Sequence, residues 1–226
     1  TNKMQLTSAN SINVARWLPQ LFYFMFAYKQ LHNTHKEIVF SVPSGNFGNV
    51  CAGMMAQQLG LPIKHFIASN NENNVVTNYL KTEDYNPKPS VQTISNAMDV
   101  GNPSNFIRIQ EIYKNEFKTL KNNLSSYSFS DLETKIALKE IFDNYNYVAD
   151  PHGAVGYLGC KAYLKTNPKA YCVFLETAHP TKFLDVVEEV IQEKQPLPIQ
   201  IQAVMGKDKV ATKISSYEEL KRFLLK

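Results

Sequence analysis

Cysteine, glycine and proline are scarce in this sequence: its 226 residues hold three, nine and eleven of them. Cys51, Cys160 and Cys172 are an odd set without a C-x2-C pair, so neither a disulfide framework nor a cysteine zinc site is expected, and a reducing, cytoplasmic compartment is. The glycines and prolines follow no period, which excludes collagen-like and mucin-like chains. Long apolar runs are missing too: the longest, Leu21–Tyr28, has eight residues, against the roughly 18 that a membrane span needs. No basic-then-apolar leader is read at the start. Basic blocks are also absent. The 24 Lys and Arg are scattered among 20 Asp and Glu for a net charge of +4, so no nucleic-acid footprint is expected. What is present is a globular composition, 44% hydrophobic and 19% charged, able to bury a sizeable core. The sequence opens at Thr1 rather than Met, which suggests a fragment of a longer protein.

Helical spacing puts Val14, Trp17, Leu18, Leu21, Met25 and Tyr28 on one face of a helix starting near Asn10. Phe22 and Phe26 widen that stripe, which predicts burial on most sides, with Asn10 or Ser11 as the N-cap. Ile38–Val42 reads as a strand. A helix follows and ends at Gly60-Leu61-Pro62, before a second strand over Ile63–Ala68. Strand, helix, strand with short links is a βαβ unit and predicts a parallel sheet covered on both faces. Beyond it lie a short helix at Asn73–Leu80, loop from Thr82 to Asn105, and helices near Pro103–Leu120 and Asp131–Tyr145. Lys121–Ser130 reads as a solvated loop. Pro151–Leu164 reads as a helix capped by Asp150, Tyr171–Leu175 as a strand and Pro180–Ile191 as a helix with Phe183, Leu184, Val187, Val190 and Ile191 inward. Pro196–Val204 reads as an edge strand and Ser216–Leu225 as a terminal helix. Residues 1–226 read as a single α/β domain.

The strongest local signal is Ser44-Gly45-Asn46-Phe47-Gly48-Asn49. It stands at the carboxyl end of a parallel strand, where open α/β sheets bind ligands, and it opens a helix whose positive end points into the same space. Two glycines three apart let successive backbone N–H groups turn inward as a nest for a phosphate dianion. The pattern is neither a Walker A loop nor the dinucleotide fingerprint, and a tight turn without ligand fits the same residues. Glu176-Thr177-Ala178-His179-Pro180 also follows a strand and opens a helix. Thr177 can offer a hydroxyl to a ligand there, while capping by Thr177 or His179 is the plainer role. Three further segments stand out. Ser8–Asn13 with Arg16 suits an anionic substrate or simple capping. Ser95–Asn105 with Arg108 is a polar loop entering a helix. Asp150–Gly159 carries Gly153, Gly156 and Gly159 on one helical face. His32 and His35 lack cysteine or acid support, and no metal site is expected.

Taken in order, SANSIN with Arg16, VPSGNFGN, SNAMDV with PSN, DPHGAVG and TAHPTKF resemble the threonine synthases, pyridoxal-phosphate enzymes of the tryptophan synthase β-like class. The likeness runs from Ser8 to about Glu189, and VPSGNFGN together with TAHPTKF is its specific part. It implies the parallel-sheet, three-layer α/β/α architecture of fold type II, here incomplete, as the C-terminal catalytic portion of a longer two-domain enzyme. It implies that the nest holds the phosphate of pyridoxal 5'-phosphate through Gly45, Asn46, Phe47 and Asn49, mainly by backbone N–H, with Gly48 permitting the turn. Thr177 would set its hydroxyl against the pyridine nitrogen, tempering the electron sink. Asn10, Ser11, Asn13 and Arg16 would lie near the substrate, with His152 and Asp99 behind. The family's Schiff-base lysine falls in a segment preceding everything present here, and Lys182 belongs to another motif. The implied reaction converts O-phospho-L-homoserine and water to L-threonine and phosphate, by proton abstraction, γ-elimination of phosphate and addition of water at the β carbon. The chain alone is expected to be inactive. A non-catalytic pyridoxal-phosphate or anion-binding module, and a related phospho-amino-acid lyase or dehydratase, are the other readings; SANSIN and SNAMDV weigh against the last.

Overall fold

The computed structural model describes residues 7, 10–31, 33 and 36–225. Ser8 and Ala9 of the SANSIN segment, and both His32 and His35, lie outside the described residues. The N-terminal helix is interrupted where Pro19 falls. Asn13 Oδ1 accepts the Ala15 N–H at 3.0 Å and opens α1 (Val14–Trp17). Pro19 has no N–H to extend the ladder, so a 3-10 turn occupies Leu18–Gln20 before α2 (Leu21–Leu31). The expected continuous helix from Asn10, capped by Asn10 or Ser11, is thus corrected. So is its burial: Trp17, Leu21 and Phe24 are buried, but Phe22 is 55% and Phe26 63% exposed, because α2 packs along one neighbour, α3, and presents its other side outward.

The next segment is the expected βαβ unit: β1 (Ile38–Pro43), α3 (Gly48–Gln58) and β2 (His65–Asn70). Every residue of both strands is buried, as parallel strands covered on both faces require. Then come α4 (Val75–Thr82), a loop with a 3-10 turn at Asn96–Met98, α5 (Phe106–Ile112) and α6 (Phe117–Asn123). The helix expected over Pro103–Leu120 is split because Lys114 and Asn115 take left-handed φ values of 54° and 58°. Next are β3 (Leu124–Ser128), α7 (Asp131–Tyr145), α8 (Pro151–Leu164), β4 (Tyr171–Phe174), a 3-10 turn at Pro180–Phe183 and α9 (Leu184–Ile191). The solvated loop expected at Lys121–Ser130 is instead the edge strand β3. Leu124 anchors it in the core, and its hydroxyls add ties that an apolar pattern does not show: Ser126 Oγ donates to Ala68 O at 2.9 Å and Ser125 Oγ meets His65 Nε2 at 2.8 Å.

The four strands are all parallel, in the order β3-β2-β1-β4. Helix α8 crosses one face against β1, β2 and β4, with α7 and α9 outside it. Its contact with the sheet is close: Ser41 Oγ donates to Gly156 O at 2.6 Å. The other face holds α3 with α2 and α5 and the larger core. There Phe24 lies edge-on to Phe40 at 5.1 Å and to Phe66 at 5.9 Å between ring centroids. Helix α7 opens with a capping box: Ser130 N donates to Glu133 Oε2 at 2.8 Å and Glu133 N to Ser130 Oγ at 3.3 Å. Ser130→Ala is expected to cost about 1 kcal/mol, read as a lowered urea midpoint at unchanged slope.

Contacts among the described residues separate one unit, Asn10–Lys194, from a second that holds the described residues from Gln195 onward. The second contains α10 (Ile199–Met205) and α11 (Tyr217–Leu224), the latter capped by Ser216. The edge strand expected over Pro196–Val204 is therefore corrected to a helix. The alternation Ile199-Gln200-Ile201-Gln202 signals a strand only where one face meets a sheet, and here all four residues are exposed.

Candidate functional site at the ends of β1 and β4

From β1 the sheet grows to β2 and β3 on one side and to β4 on the other. The strand order therefore reverses between β1 and β4, and a crevice opens outside their carboxyl ends. The two segments that stood out in the sequence leave those two ends. After β1, Ser44 is clamped: its N–H donates to Ser69 O at 2.9 Å, its Oγ to Val42 O at 2.7 Å, and Asn70 Nδ2 donates to its carbonyl at 2.7 Å. Asn49 Nδ2 reaches back to Pro43 O at 2.8 Å. Between these fixed points, the backbone N–H groups of Gly45, Asn46, Phe47, Gly48 and Asn49 have no acceptor among the described residues. This run opens α3, whose positive end faces the crevice.

The left-handed turn residue is Phe47, at φ 61° and ψ 13°, and not Gly48, which is the first residue of α3. The expectation that Gly48 permits the turn is corrected in that respect. A buried non-glycine in this region costs about 1–3 kcal/mol; Phe47 is held by its 1% exposure and an edge-on contact with Phe106 at 5.8 Å. Gly45 has the stricter requirement. A Cβ there would stand 2.6 Å from Met98 Cα and 2.9 Å from Ala97 O, so only glycine lets the Asn96–Met98 turn floor the crevice.

After β4, His179 Nδ1 accepts the Thr181 N–H at 3.2 Å and caps the 3-10 turn. Capping thus falls to His179, and Thr177 keeps a hydroxyl without a partner among the described residues. Thr177, Ser11 and Gly45 through Asn49 line one cleft of about 650 Å³, together with Ala97, Met98, His152 and Glu176. Tyr23, Phe26, Gln20 and Gln30 form the wall on the α1–α2 side, which explains where the outward aromatic face of α2 goes. Asn10, Asn13 and Arg16 do not line the cleft among the described residues. The Asn10 and Asn13 side chains accept the N–H groups of Ile12 and Ala15, shaping the turn that presents Ser11. Asn46 joins three segments: its Nδ2 donates to Ser11 Oγ, and its Oδ1 accepts from Ser104 N at 2.6 Å and Ser104 Oγ at 2.9 Å.

Of the supporting polar groups, Asp150 and His152 are buried, Asp99 and Arg108 half-buried and Glu176 exposed. Asp99 gathers Asn71 Nδ2 at 2.9 Å, Thr93 Oγ1 at 2.7 Å and Thr93 N at 3.0 Å, which fixes the loop that carries Ala97 and Met98. Arg108 donates to Ile12 O and to Asn105 Oδ1, tying α5 to the Ser11 turn. His152, 2% exposed, accepts the Ala97 N–H at Nε2 (3.2 Å) and faces Asp150 Oδ1 with Nδ1 at 2.6 Å. The sequence reading placed His152 and Asp99 behind the site but passed over Glu176. Glu176 is exposed as a residue, but desolvation of its carboxyl against α8 and the adjacent Asp150 push that carboxyl up to about 9. Burial also pulls Asp150 upward, but hydrogen bonds with His152 and Glu176 outweigh it and hold that carboxyl below its ordinary value. The signal for Glu176 was local only: an acid at a strand end, with no hint of its partner 26 positions earlier.

Residues 153–224 match the family model described as threonine synthase, C-terminal. A threonine synthase from Buchnera aphidicola subsp. Baizongia pistaciae is 43% identical, covering 97% of this chain and 51% of that enzyme. The crystal structure of threonine synthase from Escherichia coli superposes with a TM-score of 0.88 at 37% identity, over 97% of this chain and 51% of that one. The structure described as PLP-bound threonine synthase from Brucella melitensis gives 0.88 at 26% identity, over 99% of this chain and 53% of that one. The chain spans about half the length of the curated relatives it matches. Over that span, in sequence and in fold alike, it belongs to the threonine synthase family.

Proposed function

We propose that this protein is the phosphate-binding, C-terminal portion of a threonine synthase, which converts O-phospho-L-homoserine and water to L-threonine and phosphate with pyridoxal 5'-phosphate as cofactor. One observation carries the reading: five consecutive backbone N–H groups at the start of a helix, without an acceptor among the described residues, share a cleft with the Thr177 hydroxyl, likewise without a partner there. That donor set suits a phosphate dianion, and the absence of a Cβ at Gly45 shapes the cradle. When bound, the cofactor supplies the electron sink that makes a proton next to the substrate amino group removable.

The chain's own groups then have separate tasks. Gly45, Asn46, Phe47, Gly48 and Asn49 hold the phosphate by main chain. Thr177 offers a neutral hydroxyl to the pyridine nitrogen, which does not favour a ring proton as a carboxylate would. Ser11 faces the substrate directly; Asn10 and Asn13 shape its turn, and Arg16 completes that substrate-side segment. Asn46 couples both sides by fixing Ser11 and Ser104 to the phosphate loop. No lysine lines the cleft among the described residues; we place the Schiff-base lysine in the part of the relatives' length that this chain does not match. In this reading the enzyme works in the cytoplasm, in keeping with three free cysteines. No helix of the described residues is long and apolar enough to cross a membrane.

Titrating the purified chain with pyridoxal phosphate tests the reading. Reversible binding at one site is expected, with no threonine formed from O-phospho-L-homoserine. Stoichiometric trapping of the cofactor on one lysine of this chain by borohydride, or threonine formation above background, contradicts it. In the full-length enzyme, Asn46→Ala is expected to raise KM for O-phospho-L-homoserine about tenfold, the equivalent of roughly one or two lost hydrogen bonds, with cofactor content unchanged.

A further inference from the structure

We propose that Glu176 carries a proton at neutral pH, donates it in a hydrogen bond to Asp150 Oδ2, and by this clasp positions the adjoining Thr177 in the cleft. The functional weight of Thr177 rests on the cofactor reading above; the clasp itself does not. Asp150 is fully buried. Its Oδ1 already accepts two donors, the His152 N–H at 2.8 Å and His152 Nδ1 at 2.6 Å, while its Oδ2 is buried without a partner. The imidazole has nothing left to give it, because Nε2 is occupied by the Ala97 N–H. That bond assigns the ring proton to Nδ1. The remaining group beside Asp150 is the carboxyl of Glu176, a residue exposed to the cleft. It lies flat over the first turn of α8, where a Cβ on Gly153 would come within 2.0 Å of Glu176 Oε1. Glycine at 153 therefore makes the room the clasp needs.

Two carboxyl groups in contact do not both ionise. Asp150 keeps the charge, since it caps α8 and pairs with the imidazole. Glu176 keeps the proton. The ionisable groups acting on the pair are each other, His152 from α8 and Tyr147 from the preceding loop. The upward displacement of Glu176 and the downward one of Asp150 agree with this division. Because Glu176 precedes Thr177 directly and both line the cleft, its ionisation sets two carboxylates against each other and moves the turn that aims the Thr177 hydroxyl. A group whose folded pKa is raised takes up a proton on folding, so its contribution to stability falls as pH rises from the ordinary 4.5 towards about 9.

The test is carboxyl ¹³C NMR of the purified chain, with Glu176 assigned by the loss of its signal in Glu176→Gln, and the Thr177 methyl followed in parallel. The expected result is a protonated Glu176 carboxyl at pH 7 that titrates near pH 9, with the Thr177 methyl moving at the same midpoint. In Glu176→Gln, whose amide is a permanent donor, the Thr177 methyl is expected to stay in its neutral-pH position throughout. Gly153→Ala evicts only the end of a flexible side chain and is expected to return Glu176 to the ordinary carboxylate range. A Glu176 carboxyl ionised at pH 7, or a Thr177 methyl that moves equally in Glu176→Gln, overturns the proposal. A clasp that titrates as expected in a chain that fails to bind pyridoxal phosphate counts against the cofactor reading alone.

Discussion

Gly45→Ala is expected to lower the affinity of the chain for pyridoxal phosphate about a hundredfold while leaving the far-ultraviolet circular dichroism unchanged. The added Cβ would meet Met98 Cα at 2.6 Å and Ala97 O at 2.9 Å, both of them backbone atoms. Neither can rotate aside as a side-chain tip can. Either the loop after β1 or the Asn96–Met98 turn must retreat, and Asp99 anchors the latter through Asn71 and Thr93. The movement therefore falls on the amides that form the nest. Losing two charge-assisted hydrogen bonds of roughly 1.5–3 kcal/mol each would weaken binding by two orders of magnitude or more. Calorimetric titration of wild type and variant measures this, and unchanged affinity would separate the nest from the cofactor.

The second large effect is on stability. Phe24→Ala is expected to destabilise the Asn10–Lys194 unit by about 3–5 kcal/mol, since it removes a fully buried aromatic ring and leaves a cavity. Phe24 is 0% exposed and lies edge-on to Phe40 of β1 and Phe66 of β2. Its ring also occupies the space that a Cβ on Gly53 of α3 would need, at 2.6 Å. The neighbours on three sides are a sheet and a helix that pack against each other and cannot collapse inward. At roughly 2–4 °C per kcal/mol for a chain of this size, the melting temperature should fall by about 6–20 °C. Phe26→Ala, at a position 63% exposed, provides the contrast and should shift it little. A fall of similar size in both would mean that α2 is packed on both faces.

The contrast between Phe24 and Phe26 also shows where reading the sequence succeeds and fails. The βαβ unit was legible because Ile38–Val42, apolar but for Ser41, and Phe66–Ala68 are short apolar runs with Gly60 and Pro62 as punctuation. The helix after Asp150 was legible because its cap and its proline stand at fixed offsets. Strand β3 was not, since Leu124-Ser125-Ser126-Tyr127-Ser128 has a single buried aliphatic residue, Leu124, and its other ties are hydroxyl bonds to a neighbouring strand about sixty positions away. Helix α2 looked buried on most sides because composition reports how apolar a face is and not what covers it; two of its aromatics turn out to wall the cleft.

The candidate site divides in the same way. The nest and Thr177 could be named from local pattern, as each sits in its own strand-to-helix turn. That they meet depends on β1 and β4 being sheet neighbours, a long-range fact. The left-handed residue was misplaced by one position, because glycine is the usual occupant of that conformation while here the packing of Phe47 against Phe106 holds a bulkier one. The pairing of Asp150 with Glu176 had no local signature at all.

The most direct measurement is an amide ¹⁵N–¹H titration of the labelled chain with pyridoxal phosphate. The largest changes should fall on the N–H groups of Gly45, Asn46, Phe47, Gly48 and Asn49, with Thr177 responding at the same ligand concentration. Binding that leaves those amides unmoved, or that shifts them without Thr177, would contradict the account.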